Sequence, residues 1–196
     1  MAIAQMKQRL TPAEYLEVER AAESKSEYIE GETYAMGGAS YAHNVIVANW
    51  LRTLGNALQG GPCRALASEM RVKDATSELY TYPDLVVVCG KPRFEEPAYL
   101  DTLINPTLLV EVLSPSTERH DRGIKFAYYR SIPSLREVLF VAQDRPIVEQ
   151  YTRGLEGDWL LHAVQGLGAA IELSSLSVRL KLSEIYEGAL GEAEGR

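Results

Sequence analysis

The chain has 196 residues, of which 46% are hydrophobic and 24% charged, and a net charge of −7. These values indicate one globular domain with an ordinary core, and the acidic balance argues against a broad phosphate-binding surface. No window approaches the ~18 apolar residues of a membrane span, and residues 1–9 lack the apolar core of a signal peptide, so we expect a cytoplasmic protein.

The N-terminal part predicts a helix followed by a hairpin. Thr11 and Glu14 form a capping box around Pro12, which starts a helix that extends to about residue 22. Two short strand-like runs, residues 26–29 and 33–36, flank Glu-Gly-Glu and predict a hairpin.

A second helix follows Ser40, its expected N-cap, with His43 in the first turn. Its buried side is predicted by apolar residues at helical spacing: Val45, Ile46, Trp50, Leu51, Leu54 and Leu58. Gly-Gly-Pro at residues 60–62 ends this helix.

The rest of the chain is mainly strands. They are predicted at residues 63–67, 70–73, 85–88, 108–113, 135–141, 147–152, 159–164 and 170–173, with a Pro-rich loop at 90–106 and helices at 117–131 and 183–188. We expect an α/β fold, a mixed central sheet flanked by helices, in one domain spanning residues 1–196. Its core is predicted at about 40–141, with an N-terminal helix and hairpin at 11–37 and C-terminal antiparallel strands at 146–182.

The two cysteines, Cys63 and Cys89, lie far apart in the sequence and in apolar surroundings. A cytosolic protein keeps such thiols reduced, so we expect neither a disulfide framework nor a zinc site.

A carboxylate stands in the middle of the most apolar strand. Glu111 is surrounded by Leu108–Val110 and Val112–Leu113, a pattern typical of a strand covered on both faces. An unpaired buried charge costs several kcal/mol, so Glu111 must be neutral, paired with a cation, or bound to a metal. An ion pair with Lys125 or an arginine is the purely structural alternative.

Asp84 opens the preceding apolar strand, 27 residues before Glu111. If the two strands are neighbours, their carboxylates converge at one edge and repel unless a divalent cation lies between them. Oxygen ligands of this kind suit Mg²⁺ or Mn²⁺, and such ions assist phosphodiester hydrolysis. Lys125, four residues after Asp121 on the next helix, is the candidate cation that orients water or stabilises the phosphate.

These elements resemble a known family. Pro83-Asp84 and Glu111-Val112-Leu113 are similar to the two halves of the PD-(D/E)xK nuclease motif. The runs SEYIEGE from Ser26, HN at His43, YPD ending at Asp84, EVLSPST from Glu111 and DRGIKFAYY from Asp121 resemble the Uma-type family of restriction endonucleases of bacteria. The resemblance covers roughly residues 11–186.

The resemblance implies a restriction-endonuclease-like fold and site residues. Asp84, Glu111 and the carbonyl of Val112 would hold the metal, and Lys125 would assist the attacking water. Glu27 would be a further carboxylate of the site, and His43 a group beside the ligands or the phosphate. The superfamily places its lysine where this chain has Leu113, so the lysine role is expected to have moved to the following helix.

Several other residues have ordinary structural explanations. Glu69 is expected to pair with Arg71 or Lys73, and His120 to lie exposed beside a loop. For Tyr128 and Tyr129, packing of the helix on the sheet is the favoured interpretation for at least one of them. Ser114, Ser116 and Thr117 either cap the helix or bind a phosphate.

The sequence therefore predicts a metal-dependent endonuclease that hydrolyses DNA. The alternatives are a catalytically degenerate nucleic-acid-binding or protein-interaction module on the same fold, and a hydrolase of a smaller phosphate ester. A homodimer is plausible because two cuts in a duplex suit two sites related by a two-fold axis. Six arginines and lysines, with His120, fall between Arg119 and Arg145, just after the central strand.

Overall fold

The structure is a computed structural model that describes residues 9–74, 78–96, 98–115 and 117–191. The elements in chain order are α1 (Pro12–Ala21), β1 (Ser26–Ile29), β2 (Glu32–Ala35), α2 (Tyr41–Ala57), β3 (Cys63–Ala67), β4 (Arg71–Lys73), β5 (Leu79–Thr81), β6 (Leu85–Cys89), β7 (Thr102–Leu103), β8 (Leu108–Leu113), α3 (Glu118–His120), a π-helical turn (Asp121–Lys125), α4 (Phe126–Tyr129), β9 (Glu137–Ala142), β10 (Ile147–Arg153), β11 (Trp159–Gln165), β12 (Ala170–Leu173), β13 (Val178–Lys181) and α5 (Leu182–Ile185).

The strands form two main sheets and one hairpin. The six-stranded sheet has the order β11-β10-β9-β8-β6-β3, and the five-stranded sheet has the order β2-β1-β5-β4-β7. Within the six-stranded sheet β8 and β9 are parallel, whereas its other neighbours are antiparallel. The mixed α/β architecture expected from the sequence is confirmed.

Two apolar layers hold the sheets together. On one face of the six-stranded sheet, Ile46, Trp50 and Leu54 of α2 pack with Val110, Val112 and residues from the β12-β13 hairpin and α5. On the other face, Leu109, Leu113 and Val86 pack against the five-stranded sheet and Tyr129. The odd-numbered residues 109, 111 and 113 of β8 thus face the layer between the two sheets.

The chain changes sheets within three residues. β5 belongs to the five-stranded sheet and ends at Thr81, whereas β6 belongs to the six-stranded sheet and begins at Leu85. Tyr82-Pro83-Asp84 makes this crossover, so Asp84 is fixed where the two sheets meet.

Local sequence signals account for the helix starts. Thr11 accepts a hydrogen bond from the Glu14 N–H while Glu14 reaches back to the Thr11 N–H, which is the predicted capping box. Ser40 caps α2 through the His43 N–H. The sequence does not predict the short strands β5 and β7, which have three and two residues. An alternation of apolar and polar residues cannot be recognised in segments this short.

The expectation that both cysteines are reduced is wrong in this structure, since Cys63 and Cys89 form a disulfide. The two residues are register partners on the antiparallel strands β3 and β6, with their Cα atoms 4.0 Å apart. Their separation of 26 residues in the sequence concealed this pairing, because only the sheet register places them side by side.

In the part of the chain that the structure describes, no helix is both long enough and apolar enough to cross a membrane.

Candidate functional site

The two strands that carry the predicted carboxylates are neighbours in the six-stranded sheet. β6 and β8 pair antiparallel with Leu85 opposite Val110, so Asp84 and Glu111 are the next residues along the two strands. The geometry expected from the sequence, two acids at one edge of a strand pair, is present.

Asp84 takes the place of a strand partner for Val112 just before β6 begins. Its Oδ2 accepts a hydrogen bond of 2.7 Å from the Val112 N–H and lies 3.2 Å from the His43 Nε2. Because the N–H and C=O of one strand residue point to the same side, the Val112 carbonyl also faces the side where Asp84 lies. His43 therefore joins α2 to this edge of the sheet through Asp84.

Lys125 points from the helical segment onto Glu111. Its Nζ lies 2.8 Å from Glu111 Oε1 and 3.3 Å from Asp121 Oδ1, one turn earlier. All three side chains are buried, with Lys125 only 4% exposed. The π-helical turn, in which the Phe126 N–H bonds to the Asp121 carbonyl five residues back, leads into the turn that ends at Tyr129.

Glu27 reaches the same lysine from the other sheet. Its Oε1 lies 3.0 Å from Lys125 Nζ and also accepts hydrogen bonds from the Thr81 hydroxyl and the Tyr82 N–H. One ammonium thus contacts three buried carboxylates, those of Glu27, Glu111 and Asp121.

Tyr129 also belongs to this cluster. The sequence favours packing of the helix on the sheet as the role of at least one of Tyr128 and Tyr129. The hydroxyl of Tyr129 donates to Glu111 Oε1 at 2.5 Å and lies 3.3 Å from Thr81 Oγ1. Asp121, Lys125 and Tyr129 are spaced by four residues, so the sequence pattern indicates that they lie on one face of a helix. Thr81 gave no signal, since it lies on a three-residue strand.

The cluster holds more negative than positive charge. Burial raises the pKa of Glu111 well above its ordinary value, and repulsion from Asp121, Asp84 and Glu27 adds to this effect against the attraction of Lys125. Burial alone would lower the pKa of Lys125. Its acidic neighbours, Glu111 foremost, have the larger effect and raise the pKa well above its ordinary value, so the ammonium stays charged. Lys125 contacts Glu111 directly, yet burial and the three other acids outweigh its effect on the pKa of that carboxyl.

Glu27 differs from Glu111 in the direction in which its pKa is shifted. Burial raises its pKa, yet the charge of Lys125 and hydrogen bonds from Thr81, Lys125 and Tyr82 together hold the pKa below its usual value. Lys125 therefore contacts both carboxylates, but it holds the pKa below the usual value only at Glu27, which has hydrogen bonds from Thr81 and Tyr82 as well.

The remaining predicted residues lie at the rim or outside the site. His120 stands 3.9 Å from Glu27 Oε2 with its side chain 26% exposed, and it packs on the ring of Tyr34. Ser114 bonds to Thr117 through both the hydroxyl and the N–H of Thr117, a local turn before α3. Ser116 lies outside the described residues.

Two surface interactions differ from expectation. Glu69 pairs with Lys25, at 2.8 Å, and not with Arg71 or Lys73, which bind Asp101 and Glu95 respectively. The prediction used neighbours in sequence, whereas partners from other elements fold closer. Tyr128 bonds to Glu30 of the hairpin turn, which leaves Tyr129 as the tyrosine in the site.

Within the described ranges, no group of three or more His, Cys, Asp or Glu side chains is arranged to hold a metal ion by itself. In the same part of the chain, Asp84 makes its contacts through Oδ2 and Glu111 through Oε1. A cation would therefore need two carboxylates and the Val112 carbonyl, with water completing the shell.

Comparison with solved structures identifies the class of fold. The structure matches the crystal structure of a putative nuclease belonging to DUF820 from Anabaena variabilis, with a TM-score of 0.76 over 92% of this chain and 99% of that chain, at 19% identity. The fold is therefore restriction-endonuclease-like.

The family follows from the sequence comparisons. The chain belongs to the Uma2 family, described as "Putative restriction endonuclease", whose family model matches residues 12–183. An uncharacterized protein of Synechocystis sp. is 37% identical over 92% of this chain and 93% of its own length. A second uncharacterized protein of that organism is 38% identical over 86% of this chain and 95% of its own length.

Proposed function

We propose that this protein is a divalent-cation-dependent endonuclease that hydrolyses phosphodiester bonds in DNA. The observation that carries the proposal is the meeting of Asp84 and Glu111 at adjoining positions of β6 and β8, with Lys125 at 2.8 Å from Glu111. The family description supports a nuclease. An excess of buried carboxylate over lysine suits a site completed by a cation.

Asp84, Glu111 and the Val112 carbonyl are the proposed metal ligands. Hard oxygen donors of this kind suit Mg²⁺ or Mn²⁺, which retain several waters as further ligands. Burial, together with repulsion from Asp121, Asp84 and Glu27, raises the pKa of Glu111, which fits a carboxylate whose charged form a bound cation would stabilise. A bound divalent ion would supply charge that stabilises the phosphate and lowers the pKa of water.

Lys125 is proposed to position the attacking water and to stabilise the charge that develops on the phosphate. Its ammonium is held by Glu27 and Asp121 as well as by Glu111, so its position is fixed before substrate binds. Tyr129 fixes Oε1 of Glu111 in the same way. Preorganised donors of this kind need little rearrangement during the reaction.

His43 and Glu27 are proposed as positioning residues. The imidazole of His43 contacts Asp84 Oδ2, so it orients the carboxylate that would bind the cation. Glu27 contacts Lys125 from the five-stranded sheet, whereas Glu111 contacts it from the six-stranded sheet. Neither residue needs to touch the reacting phosphate for these roles.

DNA is the proposed substrate because exposed basic residues follow the site in the chain. Arg119, Arg130 and Arg136 are exposed, whereas Arg122 and Arg145 contact carboxylates. A local set of arginines can contact backbone phosphates although the net charge of the chain is −7.

The test is a calorimetric Mn²⁺ titration of the wild type and of Asp84→Asn, followed by incubation of both with supercoiled plasmid. We expect the wild type to bind the ion and nick the plasmid, and the variant to lose both activities while its circular dichroism spectrum is unchanged. Asp144→Asn, a change at an exposed acid, is the matched control and should behave as wild type.

Two results would overturn the proposal. If folded wild type binds no divalent ion, the acids are structural. If it binds DNA equally well with and without Mg²⁺ and never cuts it, the protein is a binding module on a nuclease fold.

A further inference from the structure

The two main sheets have four edges, and three of them carry features that prevent pairing with another chain. β7 has only two residues, β2 carries Glu32, and β3 carries Arg64. Short length and charge are the usual means by which proteins protect sheet edges. β11 differs, because Trp159–Gln165 is seven residues long and contains no Asp, Glu, Lys, Arg or Pro.

The hydrogen-bonding groups at the outer side of β11 follow from its register with β10. Gly154 donates to the Asp158 carbonyl and Gly166 donates to the Pro146 carbonyl, so both ends of the β10-β11 pair are hydrogen-bonded positions. Since these positions alternate along an antiparallel pair, the even-numbered residues of β11 bond to β10. The N–H and C=O groups of the odd-numbered residues point away from β10: Trp159, Leu161, Ala163 and Gln165.

Exposed leucines surround this edge. Leu160 and Leu161 are 61% and 55% exposed, on opposite faces of the strand. Leu155 lies fully exposed in the turn before β11, and Leu167 is half exposed in the turn after it. The edge thus has exposed apolar side chains on both faces and at both ends. Such a cluster differs from the single exposed apolar residues that are common on protein surfaces.

We propose that β11 is the interface with a second copy of this chain, paired antiparallel about a two-fold axis. The full seven residues pair when Leu161 of each copy lies opposite Ala163 of the other. This register also places the turn that carries Leu155 beside the turn that carries Leu167 in the second copy. The edge is complementary to itself in backbone, charge and apolar ends, as a two-fold interface requires.

A twelve-stranded sheet would then run through the dimer, with the same face of each six-stranded sheet on the same side. The interface lies three strands from β8, so the dimer does not depend on the proposed metal site. Its test and the nuclease test can fail separately.

The first measurement is sedimentation equilibrium of the wild type over a concentration series. We expect a reversible monomer–dimer equilibrium. Leu161→Lys places like charges near the axis in both copies and should raise the dissociation constant at least about tenfold. Val18→Lys, the same type of change at a residue 58% exposed on α1, is the control and should leave it unchanged.

A second variant tests the register. In Leu161→Lys with Ala163→Glu, each lysine faces a glutamate of the other copy, so dimerisation should recover most of the lost affinity. If β11 paired with its copy in another register, the lysine and the glutamate would not lie opposite each other, and the double variant would not recover affinity. Failure of the double variant to recover would overturn the proposed register.

Amide hydrogen exchange provides a test without mutation. At concentrations where the dimer forms, the outward amides of Leu161 and Ala163 should be as well protected as the inward amides of Leu160 and His162. A wild type that is monomeric at all concentrations, with fast exchange only at the outward amides, would overturn the proposal.

Discussion

The same tripeptide, Glu-Val-Leu, occurs twice in the six-stranded sheet, and the two glutamates have different surroundings. Glu111 lies in β8 and Glu137 begins the neighbouring strand β9, with side chains 3% and 0% exposed. Glu137 is surrounded by neutral donors, the side chain of Gln150 and the N–H and hydroxyl groups of Ser174 and Ser175. Glu111 faces Lys125, Tyr129 and three other acids.

This difference separates two uses of a buried acid. Neutral donors satisfy Glu137 completely and fasten the β12-β13 hairpin to the sheet, so the residue contributes to folding. The neighbours of Glu111 are charged and leave it short of positive charge, an arrangement that costs stability and suits a ligand. The type of neighbour, and not burial itself, distinguishes the two sites.

The largest expected effect is the difference in DNA cleavage between Glu111→Gln and Glu137→Gln. Glu111→Gln should lower the rate of plasmid nicking by about 10³-fold, since it removes both a proposed metal ligand and a carboxylate that contacts Lys125. Glu137→Gln should cut at nearly the wild-type rate. Initial rates in Mg²⁺ well below the unfolding temperature measure both, and equal losses in the two variants would remove the distinction.

Lys125→Met should destabilise the protein by about 3 to 5 kcal/mol at pH 7, because three buried carboxylates lose their common cation. The loss should shrink as the pH falls toward 5, where the carboxylates protonate more easily. Urea unfolding at both pH values measures this. Lys73→Met removes a half-buried lysine from Glu95 and should cost far less, so equal losses would contradict a special role for the cluster.

Tyr129→Phe should lower cleavage about tenfold, since it removes the hydrogen bond to Glu111 and the contact with Thr81 while it keeps the ring. Tyr128→Phe is the matched control, because its hydroxyl bonds to Glu30 at the surface. The ratio of the two nicking rates, with metal affinity measured alongside, decides the matter. A normal rate in Tyr129→Phe would mean that the tyrosine only packs the helix.

The smallest effect concerns the stability of the metal-free protein and its pH dependence. The pKa of Glu111 is raised in the folded state, so the fold favours its protonated form, and ionisation destabilises the protein as pH rises above the unfolded pKa. Glu111→Gln should therefore unfold at least about 2 °C higher than wild type at pH 7.5. The difference should vanish at pH values below the unfolded pKa.

Glu137→Gln should shift the melting temperature in the opposite direction, downward, because the amide replaces one of the two acceptor oxygens with an NH₂ group that cannot accept from a serine donor. Scanning calorimetry in chelator-treated buffer measures both variants. A lower melting temperature for both would show that the two acids contribute to stability alike.

Much of the cluster could be predicted because its acids and lysine lie in, or directly beside, strands and a helix that the sequence pattern predicts. Asp84 before one apolar strand, Glu111 within the next and Lys125 on the following helix gave the arrangement. What failed depended on partners distant in sequence. The role of Glu137 could not be predicted, since its partners Ser174 and Ser175 lie about 37 residues further on. The Cys63–Cys89 disulfide depends on the β3-β6 register.

The three-residue crossover from β5 to β6 determines where this chain can tolerate changes of length. Tyr82 donates its N–H to Glu27, and Asp84 binds the Val112 N–H, so this segment ties both sheets to the site with no slack. One inserted residue there would move Tyr82 away from Glu27 or Asp84 away from the Val112 N–H. Variation in length among relatives is thus expected between β6 and β7 instead, where it would not disturb Asp84 or Glu111.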